Sequence, residues 1–191
     1  MMSSSSASSQ NTKRKTIPVK TTYFEMHQCP NVEVCAPMPN CIVTKIKNPT
    51  TDFYKTLYRS VGKDLLWIDR LMMDEEELRQ IIQHSKVDIY VLYVDGKPAG
   101  FTEFDRRKSD DVEIVYFGLT PEFIGKGLGK FLLHWSVQKI WEHNPTRLWL
   151  HTCELDHKAA IPNYLKSGFK MYKEAIIQQP LPSEDADYFT K

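Results

Sequence analysis

Polar residues dominate the start of the chain, and hydrophobic patterning sets in only gradually. Residues 1–20 form a low-complexity stretch rich in Ser, Thr and Lys, with too few apolar positions to repay chain ordering, so a disordered tail is expected there. Strand-like pieces follow at Tyr23–Met26, Val32–Cys35 and Cys41–Lys47, separated by Pro and Asn, and predict an N-terminal extension of a sheet. From Thr51 the period changes. Phe53, Leu57 and Val61 recur at i, i+4 and i+8, which predicts a helix over 52–61, and a second helical pattern spans 65–71. Leu78, Ile81 and Ile82 place a third helix over 75–84, with Asp74 as its N-cap and Glu75, Glu76 and Glu77 in its first turn.

Asp88–Val94 is rich in β-branched and aromatic residues and reads as a strand, Asp95-Gly96 supplies a hairpin turn, and Ala99–Asp105 returns. Beyond the polar loop Arg106–Asp111 come a strand at Val112–Leu119, a helix at Gly127–His143 and a strand at Arg147–Cys153. A helix at Lys158–Lys166 and a strand at Lys170–Ile177 complete the series. This order predicts an α/β (α+β) domain around one central twisted mixed sheet flanked by helices. The 191 residues suit a single domain, expected over 21–180, with a C-terminal tail over 181–191.

Charge and composition exclude more than they assign. A net charge of +1 gives no field of one sign for nucleic acid or an anionic membrane, so neither is expected as a partner. No apolar run is long enough for a spanning helix, and the N-terminus lacks the apolar core of a secretory signal; a cytoplasmic protein is expected. Cys29, Cys35 and Cys41 recur every six residues but lack the close pairing of a metal site. With Cys153 they are expected to be free, buried thiols, and no metal is expected.

The chemistry concentrates in Val112–Lys130, where a strand is followed by a proline turn and three alternating glycines that open a helix. Glycine leaves room for an anion, and the first turn of a helix carries unpaired N–H groups aligned with its dipole, so this is a site for a phosphate or diphosphate. It lacks the GxxxxGK[ST] pattern and follows antiparallel strands, so the P-loop and dinucleotide-fold readings fit badly.

Ile124-Gly125-Lys126-Gly127-Leu128-Gly129 resembles the Q/R-x-x-G-x-G/A signature of the GNAT superfamily of N-acetyltransferases. Ala160-Ile161-Pro162-Asn163-Tyr164-Leu165-Lys166-Ser167-Gly168-Phe169 is similar to that family's A-x-x-x-Y-x-x-x-G-F block. The resemblance spans about Tyr90 to Ala175. It departs at Ile124, where the family has Gln or Arg, which leaves the diphosphate to the backbone amides from Gly125 to Lys130.

The resemblance implies the GNAT fold, with the sheet splayed between Val112–Leu119 and Arg147–Cys153. It also implies direct transfer of an acetyl group from acetyl-CoA, as cosubstrate, to a primary amine in a small molecule, at a peptide N-terminus or on a lysine. Phe117, Gly118 and Leu119 would pair with the pantetheine arm. Ile124, Gly125, Lys126, Gly127, Leu128, Gly129 and Lys130 would face the diphosphate, with His157 and Asn163 nearby. Glu113 matches the general base, with Glu103 as its substitute, and Tyr164 matches the general acid. Trp67, Asp69, Arg70 and Glu103 are candidates for acceptor contact.

Plainer readings stand beside these. Glu113 could pair with Arg106 or Arg107, Tyr164 could pack on its helix, and Tyr54, Tyr58 and Trp67 could be core. His151 and Cys153 share one side of a strand, near Asp156 and His157, but lack an obvious oxyanion loop, which argues against a cysteine hydrolase. The alternative function is a catalytically weak acyl-CoA-binding regulatory module. The acceptor, the range of acyl donors and any homodimer are not fixed by the sequence.

Overall fold

The computed structural model describes residues 15–108 and 110–182, so the expected tail segments 1–14 and 183–191 lie outside the described residues. Helix α1 (Thr51–Gly62) starts where the Thr50 side chain accepts from the Phe53 N–H at 3.2 Å. Helix α3 (Glu75–Ile82) is capped as its sequence predicts, with Asp74 accepting from the N–H groups of Glu76 and Glu77. The helix expected over 65–71 breaks in two: a 3₁₀ turn at Lys63–Leu65, a left-handed Leu66, then the short α2 (Asp69–Met72). That break turns Trp67 back against Gly62, where an added Cβ would stand 2.4 Å from the Trp67 Cβ.

Seven strands form one sheet in the order β2-β3-β4-β5-β6-β1-β7: β1 Thr16–Met26, β2 Cys41–Lys45, β3 Val87–Val94, β4 Lys97–Asp105, β5 Asp111–Leu119, β6 Arg147–Cys153 and β7 Lys170–Pro180. Asp95 and Gly96, both at positive φ, turn β3 into β4. Alternation on β3 sorts the two cores. Ile89 and Val91 pack with Tyr54, Leu57, Tyr58 and Leu78 of α1 and α3, whereas Leu92 and Val94 meet Leu128 and Leu132 of α4 (Leu128–Trp141). Beneath β5 and β6, Leu133, Val137 and Ile140 of α4 join Tyr164 of α5 (Ala160–Lys166), together with Phe24, Met26 and Phe169.

The N-terminal region departs from expectation. β1 begins at Thr16, inside the stretch expected to be a tail, and it is an interior strand instead of an edge extension. It runs antiparallel to β6 from Thr21 to Met26 and to β7 from Thr16 to Glu25. The strand expected over 32–35 does not form. The thiols are free, but Cys29 and Cys35 are exposed and Cys41 and Cys153 only partly covered, so the expectation of buried thiols is corrected.

β1 buries Phe24 and Met26 in the main core and closes the edges of two strands. Losing those two side chains alone costs roughly 5 kcal/mol or more, which is comparable to the whole stability of an ordinary domain. A chain beginning at residue 27 is therefore expected to show no cooperative thermal transition by circular dichroism. A synthetic peptide of residues 15–27 added in trans should restore one; a cooperative transition without the peptide would refute this role for β1.

Candidate active site

β5 and β6 run parallel but pair only over Asp111–Ile114 against Arg147–Leu150, and beyond that point they separate. A bulge against β4 contributes to this: Glu103 lies opposite Tyr116 while Phe104 lies opposite Ile114, so Val115 is an extra residue that bends β5. The splay opens a cavity of about 720 Å³ between the two strands. Phe117, Gly118 and Leu119 form one wall, and Leu150, His151 and Cys153 the other.

At one end lies the glycine turn. Gly125 and Gly127 have φ of +83° and +77°, which only glycine adopts without strain, and an added Cβ on Gly125 would meet nothing within 4 Å. Gly127 is the N-cap of α4, and no side chain caps that helix. The first helical bond is from the Phe131 N–H to the Gly127 carbonyl at 3.2 Å, so the N–H groups of Leu128, Gly129 and Lys130 precede the ladder. An uncapped helix start, an open glycine cradle and a lysine on the wall suit a diphosphate. Ile124, Gly125, Gly127, Gly129 and Lys130 line the cavity. Leu128 and Lys126 are not on that wall: the Leu128 side chain is fully buried, and the Lys126 ammonium lies 5.1 Å from the centre of the Phe123 ring.

The far wall carries Tyr164, Asn163, His157 and Asp156. Tyr164 is wedged among the rings of Phe24, Phe117 and Phe169. Burial, and then the nearby Asp156 carboxylate, raise its pKa above the ordinary phenol value, which keeps the hydroxyl protonated as a donor. Asp156 holds the cleft's rim together. It accepts from the Thr152 hydroxyl at 2.7 Å, from the Cys153 N–H at 3.0 Å and, across the gap, from the Trp67 indole N–H at 3.2 Å.

Trp67 lines the cavity and packs on Tyr58 and Tyr116, so it is both core and wall. Asp69 also lines it. Desolvation raises its pKa, with Arg70 and His151 opposing. Arg70 and Glu103 do not belong to this wall. Glu103 is 0% exposed, accepts from Arg70 Nη2 at 2.6 Å and takes a short hydrogen bond from the Tyr54 hydroxyl. Burial works against the Arg70 charge, but Glu103 outweighs it and holds the guanidinium pKa above normal. The expectation that these two residues face the acceptor is thus corrected: they are a buried ion pair.

Glu113 is half-buried beside the cavity without lining it. Its Oε1 stands 3.4 Å from Nδ1 of His151, and Arg106 and Arg107 instead pair with Asp88 and Asp105. Residues that sequence reasoning gave no part also line the cleft: Thr21 and Tyr23 from β1, and Ile177 and Gln179 from β7; His151, weighed there only beside Cys153, lines it too. The alternation of β1 over Val19, Thr21 and Tyr23 was a usable signal for one face, but nothing local said that β1 would lie beside β6.

The model of the acetyltransferase (GNAT) family matches residues 53–169, well over half of the chain. The protein belongs to the GNAT family. Its fold is also similar to solved GNAT structures at low identity. A GCN5-related N-acetyltransferase from Kribbella flavida is 12% identical, with a TM-score of 0.61 over 90% of this chain and 62% of that one. One from Sphaerobacter thermophilus is 12% identical, with a TM-score of 0.60 over 88% of this chain and 55% of that one. An aminoglycoside acetyltransferase from an uncultured soil metagenomic sample is 14% identical, with a TM-score of 0.55 over 68% of this chain and 88% of that one. The chain spans less than two thirds of the length of the first two. No curated protein matches it. The splay that the resemblance implies is present, between β5 and β6.

Proposed function

We infer that the protein transfers the acetyl group of acetyl-CoA directly to a primary amine, in a small molecule, at a peptide N-terminus or on a lysine. The observation that carries this reading is one continuous cleft that joins the uncapped α4 N-terminus to Tyr164 through the gap between β5 and β6. The backbone amides from Gly125 to Lys130 hold the diphosphate. Amides at Phe117–Leu119 orient the thioester and stabilise charge on its oxygen. Tyr164, kept protonated by burial, donates to the departing sulfur, and Glu113 supplies the carboxylate behind amine deprotonation.

Free-thiol release from acetyl-CoA with a panel of amines tests the reading. Turnover with at least one amine is expected. Tyr164→Phe should lower kcat roughly a hundredfold while leaving acetyl-CoA affinity, measured by calorimetry, unchanged. Ile124, apolar and facing the cavity, favours the second reading, a module that binds acyl-CoA without catalysis. Tight acetyl-CoA binding with no turnover on any amine would establish that one instead.

A further inference from the structure

A histidine stands at the point where the cleft opens, placed to receive a proton from an incoming amine. His151 lies on β6 just where β5 departs: pairing stops at Leu150, so its ring projects beside the opened gap. The side chain is 43% exposed, within reach of an acceptor from outside. Glu113, one turn of the pleat away on β5, stands behind it, 3.4 Å from Nδ1 and off the cavity wall. With Nδ1 turned to the carboxylate, Nε2 is the nitrogen left for the cleft. A carboxylate thus stands behind the imidazole on the neighbouring strand and orients it.

We propose that His151 is the general base of acetyl transfer and that Glu113 is its positioning residue. The proposal rests on the amine acetyltransferase reading given above. Nε2 takes a proton from the substrate ammonium. The freed amine forms the C–N bond at the thioester carbon as the C–S bond breaks, the sulfur takes the Tyr164 proton, and the proton remaining on the new amide nitrogen restores Tyr164. His151 then returns its proton to water, so the products are the N-acetyl compound, free coenzyme A thiol and one proton.

The groups around the ring are consistent with this task. Glu113 faces it from β5, and Asp69 interacts with it electrostatically from α2. From β1, Tyr23 brings its ring centre to 5.7 Å, with the Lys173 ammonium of β7 5.0 Å from the centre of that ring. Cys153 lies two residues on along β6, Asp156 lies in the following loop, and Tyr116 of β5 faces the same cavity. The aromatic faces of Tyr23, Trp67 and Tyr116 give a cationic amine a favourable approach.

The test is the pH dependence of kcat/KM with an amine that the wild type acetylates. His151→Asn is expected to lose a factor of about 10²–10⁴ and the ascending limb of the profile. Glu113→Gln should lose less, with the loss in kcat and KM for the amine unchanged, because the ring is no longer held in place from behind. Both should bind acetyl-CoA with wild-type affinity. His151→Gln repeats the test should the Asn variant fail to fold. A His151 variant that keeps its rate and its limb overturns the proposal and leaves the amine acetyltransferase reading standing, and so does a Glu113→Gln variant that keeps its full kcat. A wild type that acetylates no amine overturns both.

Discussion

Glu103→Ala is expected to destabilise the protein by about 3–5 kcal/mol, because it strips Arg70 of its partner inside the protein. The carboxylate is fully buried and bonded to both Arg70 and Tyr54. Removing it leaves a guanidinium that is only 6% exposed facing a cavity it cannot use. For a chain of this length the loss amounts to roughly 6–20 °C in Tm. A buried pair is not in itself strongly stabilising, since the gain from attraction is offset by desolvation, whereas breaking one side is costly. The double substitution Glu103→Leu with Arg70→Met should therefore recover most of the loss. Thermal unfolding followed by circular dichroism decides it: a single variant within about 2 °C of wild type would show that Arg70 finds water or another partner. Arg70 also lies 5.3 Å from the centre of the Tyr116 ring, which packs on Trp67. Loosening it should thus disturb the cavity wall as well as the core.

Gly127→Asp is the second large effect. The residue sits at φ +77°, where an L side chain is strained by about 1–2 kcal/mol, and an added Cβ would stand 3.3 Å from Pro37. Its carboxylate would also occupy the helix start proposed to hold the diphosphate. Repulsion between charges about 4 Å apart near a protein surface is worth roughly 2–4 kcal/mol, which weakens acetyl-CoA binding by roughly 30- to 700-fold. Gly96→Asp provides the control. It has nearly the same dihedral, +78°, but lies in the β3–β4 hairpin with nothing within 4 Å of an added Cβ. Calorimetry should show the Gly96 variant somewhat less stable with acetyl-CoA affinity intact. Equal loss in both variants, or none in either, would remove the glycine turn from the cofactor site.

Much of this architecture was legible because it is encoded locally. The period of α1 and the Asp74 cap fix helices from adjacent residues, and Asp95-Gly96 fixes a hairpin, since each depends on neighbours a few positions away. The glycine turn was legible for the same reason: backbone conformation at positive φ belongs to glycine wherever it occurs. Leu65–Leu71 was misread as one helix because Leu66 must turn left-handed to seat Trp67 against Gly62, a contact that periodicity does not record. Glu103 and Arg70 were misread because a charged residue in a polar-looking sequence is ordinarily a surface residue, and only a partner on another element permits its burial.

The sequence by itself determined most of the elements, the backbone conformation of the glycine turn and membership of a family defined by short motifs. All of these are set by local conformational preference and by residues close together in the chain. Tertiary structure alone decided that Thr16–Met26 is an interior strand and that His151 stands in front of Glu113. It also decided that Asp156 reaches across the gap to Trp67. Those outcomes depend on pairing segments more than 30 residues apart, as with Glu113 and His151, or more than 130 apart, as with Lys20 and Glu154. Such pairings are won by burial and hydrogen bonding summed over the whole sheet, and no stretch of sequence read alone contains that sum.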